Sequence, residues 1–134
     1  MPKISRYFNR EDFACQCGCG VGNIAWDLVH KLELLRREVG AIIVTSGCRC
    51  RTHNDKVGGG DYSLHLSGDA ADIYCPCRNL FELFVIATRY FEGVGLYPLR
   101  NIIHVDLRER HYWFITTEEE YEVLNSKWFV DQLT

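Results

Sequence analysis

The chain has 134 residues, 47% hydrophobic and 25% charged, with a formal net charge of -3. Those values exclude a disordered chain and fit one domain with a real core. Basic residues are interspersed with acids, as at Arg36, Arg37 and Glu38, so no nucleic-acid or acidic-membrane partner is expected.

Taken in chain order, the first 13 residues lack the apolar stretch of a secretory signal, and no segment reaches the length needed to span a bilayer. The chain is expected to be made in the cytoplasm, without membrane insertion, as a monomer. Residues 13–20 form a cysteine-rich opening. Ile24, Leu28, Leu32, Leu35 and Val39 then recur at helical spacing until Gly40, predicting a helix over 24–39. Residues 41–45 (AIIVT) read as a buried strand, 51–57 as one or two helical turns stopped by Gly58, Gly59 and Gly60, and 70–74 as a strand. An apolar helix is predicted over 80–91, followed by strands at 94–97, 102–107 and 112–115. Thr117 is read as the cap of a last helix opened by Glu118, Glu119 and Glu120, acids suited to its N-terminal dipole. Helices and antiparallel-looking strands without βαβ repeats predict an α+β layer, a small antiparallel sheet with helices on one side. The whole of 1–134 is read as one unit, with its motif core at 41–107.

Three residues stand out chemically. His65 precedes a glycine-containing turn. Asp72 sits inside Ala70-Ala71-Asp72-Ile73, where no cap or turn explains a carboxylate. In IIHVDL, strand alternation puts His104 and Asp106 on one face and Ile103, Val105 and Leu107 on the other. Buried unpaired, such polar groups cost several kcal/mol, so they need partners. Two imidazoles and a carboxylate suit zinc and leave one coordination position open, as catalytic rather than structural sites do.

The seven cysteines lie in clusters: Cys15, Cys17 and Cys19; Cys48 and Cys50; Cys75 and Cys77. An odd number excludes complete intramolecular pairing, and C-x-C spacing is poor geometry for a disulfide within a cluster. Reduced thiols, a second and structural zinc built across two or three clusters, and disulfides between clusters all remain open.

The run SGCRCRTHNDKVGGGDYSLHLSGDAADI, followed by IIHVD, resembles the zinc D-alanyl-D-alanine peptidases of the Hedgehog/DD-peptidase fold group. It is most similar to the branch of bacterial murein peptidases and phage lysis or tail proteins. The resemblance covers roughly residues 8–107, and its specific element is the S-x-H-x-x-G-x-A-x-D pattern at Ser63, His65, Gly68, Ala70 and Asp72. It implies His65, Asp72 and His104 as zinc ligands. It also implies Arg49 as a guanidinium steadying negative charge or clamping a substrate carboxylate, and Ser63 as a groove residue. The implied reaction is hydrolysis of peptide bonds in peptidoglycan stem peptides by a carboxypeptidase or endopeptidase, reaching the wall through lysis or a virion.

Two departures stand against the pattern. Cys48 takes the place of an aromatic residue, and Asn101 the place of the acid that serves several relatives as general base. Asp106 is the substitute considered for that role. Its competing role is to orient a ligand histidine, and Glu92, Glu109 and His111 are weaker candidates for the base. Two other function classes stay in view: a non-catalytic module of a phage particle that holds zinc or docks on the wall, and a zinc-finger-like interaction protein built on the cysteines.

Overall fold

The computed structural model describes residues 3–116 and 119–123. After a 3-10 turn at Arg10–Phe13 come helix α1 (Trp26–Val39), strand β1 (Ile43–Ser46), helix α2 (Arg51–Lys56), strand β2 (Ala70–Tyr74) and helix α3 (Leu80–Ala87). Strands β3 (Gly93–Tyr97), β4 (Ile102–Asp106), β5 (His111–Thr116) and β6 (Glu119–Val123) complete a six-stranded sheet of order β1-β2-β4-β3-β5-β6. The α+β class is as the sequence predicts. The sheet is mixed rather than wholly antiparallel, because β3 and β5 run parallel.

The C-terminal helix read from residue 117 is a correction. Glu119–Val123 is a strand paired antiparallel to β5, with Tyr121 opposite Phe114 and Val123 opposite Tyr112. Thr117 and Glu118, the supposed cap and first turn, lie outside the described residues. The period-two pattern of Tyr121 and Val123 matches an open strand edge, and pairing there outweighs the helical preference of three glutamates.

Helix α1 buries Leu28, Val29, Leu32, Leu35 and Val39 and stops at Gly40, whose φ of 95° turns the chain out of the helix. Helix α3 starts at Asn79, whose side chain accepts from Glu82 N at 2.8 Å, and buries Leu83, Phe84, Ile86 and Ala87. These faces share one core with Ala71 and Ile73 of β2, Val94 and Leu96 of β3, Ile103 and Val105 of β4, and Tyr112 of β5.

Strand alternation decides what remains on the other face. Register aligns Ser46 with Asp72, Asp72 with His104, His104 with Gly95, and Gly95 with Trp113, one row across five strands. A second row aligns Ala70, Asp106, Gly93 and His111. The core face is apolar throughout, and the opposite face carries the chemistry.

Candidate active site

Asp72 and His104 face each other across the β2–β4 ladder, so their approach follows from strand register alone. His65 arrives from the turn before β2. That turn is held by Arg49 N donating to the His65 carbonyl at 2.9 Å, Asp69 N to Leu64 O at 2.9 Å, and Ala25 N to Gly68 O at 2.8 Å. His65, Asp72 and His104 are 2, 6 and 8% exposed, and one donor atom from each lies within 4.8 Å of the other two.

The hydrogen bonds on the outer side of each ring decide what the inner side can do. His65 Nδ1 lies 2.6 Å from Gly47 O, which can only accept, so the proton is assigned to Nδ1 and the Nε2 lone pair faces inward. His104 Nε2 lies 2.7 Å from Asp106 Oδ2, which assigns the proton to Nε2 and turns the Nδ1 lone pair inward. Both inward nitrogens approach the same oxygen, Asp72 Oδ1, His65 Nε2 at 3.3 Å and His104 Nδ1 at 2.9 Å. Three acceptors aimed at one point repel unless a cation stands among them or an imidazole takes a second proton. The donor set therefore fits a zinc-class ion, with mixed nitrogen and oxygen ligands.

Ionisation follows the same contacts. Burial pushes the Asp72 carboxyl up, but its bonds to His104 and His65 outweigh this and hold it far below the usual carboxylate range. Burial pushes His104 down, while Asp106 and Asp72 more than offset it, so its pKa is raised.

Asp106 is fully buried and all its bonds are local. Oδ2 accepts from His104 Nε2 and, also at 2.7 Å, from Arg108 Nε, while Oδ1 accepts from Arg108 N at 3.0 Å. Burial pushes its carboxyl up, and His104 and Arg108 outweigh that to hold it low. The position opposite is Gly93, where a Cβ would overlap the Asp106 carboxylate.

The ligand atoms form the floor of a cavity of about 500 Å³ lined also by Arg49, Ser63, Tyr97, Arg100, Arg108 and Trp113. Arg49 lies over the floor, half-fixed by Ser46 Oγ at 3.3 Å, Asn54 Oδ1 at 3.4 Å and Asp72 Oδ2 at 3.4 Å. Burial lowers its pKa and Asp72 opposes that shift. Ser63 accepts from His65 N at 3.3 Å, beside the ligand it precedes. Among the described residues no carboxylate other than Asp72 lines this cavity.

Asn101 is exposed and takes the left-handed conformation (φ 54°, ψ 42°) between the Pro98–Arg100 turn and β4. Asparagine suits that backbone, which accounts for the residue without any role in catalysis. Glu92 and Glu109 are exposed and absent from the cavity lining, and His111 stacks on Trp113 at 4.8 Å.

Tyr97, Arg100, Arg108 and Trp113 escape the sequence reading. Trp113 rests 5.5 Å from the His104 ring, donates from Nε1 to Tyr97 Oη at 3.0 Å, and lies under the Arg108 guanidinium at 4.8 Å. It fits there because Gly95 has no side chain, and a Cβ would overlap the indole. The usable signal was GVGLY followed by alternating HYWFI, a glycine strand leaving room for the next strand's tryptophan. Gly47 has a comparable reason. A Cβ there would stand 2.7 Å from Phe13 Cα, so only glycine lets its carbonyl reach His65.

A profile of the family described as Peptidase M15 matches residues 6–106. The chain belongs to the peptidase M15 family. M15 peptidases are zinc-dependent, and the matched region contains every residue of the floor together with Asp106. No curated protein matches the chain significantly. Among the described residues no helix is long and apolar enough to cross a membrane.

The cysteines separate. Cys15, Cys17, Cys19 and Cys50 bring their sulfurs within 4.8 Å of one another. Cys48, Cys75 and Cys77, considered as possible ligands of the same kind, stand apart. Cys48 is buried with its N donating to Phe13 O, Cys75 Sγ donates to Val39 O at 3.4 Å, and Cys77 lies beside Gly40. Burial pushes the Cys15 thiol up, yet the backbone N–H groups of Cys17 and Cys50 outweigh it and bring it down to about 7. Its neighbours, Cys15 first, push Cys17 up to about 12.

Proposed function

We propose that this M15 peptidase hydrolyses peptide bonds in peptidoglycan stem peptides, with zinc held by His65 Nε2, Asp72 and His104 Nδ1. The observation that carries the reading is the convergence of two inward imidazole lone pairs and one carboxylate on the floor of an arginine-lined cavity. Bound there, zinc supplies Lewis acidity, polarising a carbonyl and lowering the pKa of a water toward ~7.

The chain's own residues orient the ligands and hold the substrate. The Gly47 carbonyl and the Asp106 carboxylate keep the two ring protons on the outer nitrogens, so both ligands are presented in the binding tautomer. Asp106 serves as this orienting partner rather than as the base, since it accepts three hydrogen bonds, is completely buried and does not line the cavity. Arg49, held by three contacts, presents its guanidinium where negative charge develops on the scissile carbonyl. Arg100 and Arg108 add positive charge to the same walls, which suits stem peptides with free carboxylates, and Trp113 with Tyr97 forms a flat wall for the peptide. Arg49 clamping a C-terminal carboxylate instead would make the enzyme a carboxypeptidase, and Arg49 on the scissile carbonyl alone leaves it an endopeptidase. Access comes through lysis or a virion, and the protein acts as a monomer.

One observation favours a second reading, a non-catalytic zinc-holding module that docks on the wall: the lack of a second carboxylate in the cavity lining among the described residues. One experiment separates the two. Purified muropeptides are incubated with zinc-loaded protein, with and without chelator, and the products are resolved by mass spectrometry. Chelator-sensitive loss of a terminal residue supports the carboxypeptidase, and cleavage of cross-linked dimers supports the endopeptidase. Retention on sacculi without any product supports the docking module.

A further inference from the structure

The four sulfurs of Cys15, Cys17, Cys19 and Cys50 lie outside the cavity floor and have no part in the reaction proposed above. Cys15 Sγ is 3.4 Å from Cys17 Sγ and 3.9 Å from Cys50 Sγ, and Cys17 and Cys50 are 3.6 Å apart. Four sulfurs at about 2.3 Å from one tetrahedral zinc stand roughly 3.8 Å from one another. A disulfide requires a single pair near 2.04 Å and leaves the others unaffected. Among Cys15, Cys17 and Cys50 the separations are even, and Cys19 Sγ lies within 4.8 Å of all three, a tetrahedral edge rather than a pair.

The backbone is arranged for thiolates as well. Cys50 N points at Cys15 Sγ and His53 N at Cys50 Sγ, each at 3.4 Å. The loop carrying the first three cysteines is closed on itself by Cys15 N donating to Val21 O at 2.7 Å and Gly18 N to Cys15 O at 3.1 Å. Cys15 is buried, Cys50 is half-buried, and Cys17 and Cys19 are exposed, so an ion has an entry path from solvent.

The geometry points to a second, structural metal site in which Cys15, Cys17, Cys19 and Cys50 hold one zinc-class ion in a closed all-thiolate tetrahedron. Such a site ties the N-terminal loop to the start of α2, one residue after Arg49. Its effect is on stability and on the placement of that arginine. It does not depend on the histidine–aspartate centre.

The test uses the full chain, reduced, and then loaded with zinc or cobalt(II) and freed of excess. Wild type is expected to hold two zinc ions per chain, and both His104→Ala and Cys17→Ser/Cys19→Ser to hold one. Cobalt-loaded His104→Ala should show thiolate-to-cobalt charge transfer in the near ultraviolet, and four of its seven thiols should resist titration until a strong chelator is added. If the double serine variant fails to fold, the His104→Ala spectrum and thiol count still decide. Loss of all metal and all charge-transfer absorption in His104→Ala overturns the site. So does a mass lowered by a disulfide among these four cysteines in protein purified under reductant. Neither result bears on the reading of His65, Asp72 and His104.

Discussion

Replacing Asp106 by asparagine keeps the shape of the side chain and reverses the polarity of one of its two ends. In the protein, Oδ2 accepts from His104 Nε2 and from Arg108 Nε, and Oδ1 accepts from Arg108 N. An amide oxygen can retain only one of these sides. If it keeps Arg108 N, its NH₂ confronts two N–H donors, and the imidazole relieves the clash by moving its proton to Nδ1, the nitrogen that faces the metal. Zinc must then displace that proton, and the fixed ring orientation is lost as well. Loss of such an outer partner weakens metal affinity by ~10–100-fold, about 1.4–2.7 kcal/mol. The expected outcome for Asp106→Asn is weaker zinc binding in competition with a chromophoric chelator, and turnover that recovers when free zinc is raised. A general base behaves differently: turnover falls by ~10²–10⁴-fold with zinc still bound, and added zinc does not restore it. That second pattern would refute the orienting role and return Asp106 to the proton-transfer step.

His104→Ala should lose the zinc of the cavity floor and all hydrolysis; metal analysis and muropeptide digestion check this, and full activity would remove His104 from the site. Arg49→Lys keeps the charge but loses the forked donors, so turnover should fall by ~10²-fold or more with zinc content unchanged, as read by steady-state kinetics. Gly95→Ala places a methyl against the Trp113 indole and should cost ~1–3 kcal/mol in urea unfolding, with quenched or shifted tryptophan fluorescence as the ring moves. In the metal-free protein, the Asp106 carboxyl is held below its ordinary value of 3.8 by His104 and Arg108 against the opposing effect of burial. Its contribution to stability is therefore present above pH 3.8 and lost as pH falls through its lower folded value, and denaturant titrations across that window should show the decline.

Most of the site was legible because short-range pattern carried it. Asp72 and His104 each sit in a five-residue apolar strand, where alternation alone singles out a polar residue. The β-strands from residue 70 to 116 fall within a residue or two of their sequence-based limits. Helix α3 ends at Ala87, short of the predicted Phe91, because residues 88–90 tighten into turns. What stayed illegible depends on contacts distant in sequence. The parallel pairing of β3 with β5 sets Trp113 over Gly95, and local propensity carries no trace of it. Three successive glutamates at 118–120 imitate a helix start, and only the open edge of β5 reveals Glu119–Val123 as a strand. The two roles weighed for Asp106 were indistinguishable in the sequence, because a two-residue spacing on one face suits a base and an orienting partner equally.

The row of Ser46, Asp72, His104, Gly95 and Trp113 runs across five strands, with the core packed behind it. A slip of one residue between β2 and β4 would turn one strand's ligand into the core and its apolar neighbours into the cavity. Metal capture by His65, Asp72 and His104 is thus possible only for correctly registered chains. An ion bound to that state alone withdraws it from the pool of misaligned states, by RT ln(1 + [L]/Kd). Zinc would then act as an inspector of assembly, and metal supply during synthesis should set the yield of correctly folded protein.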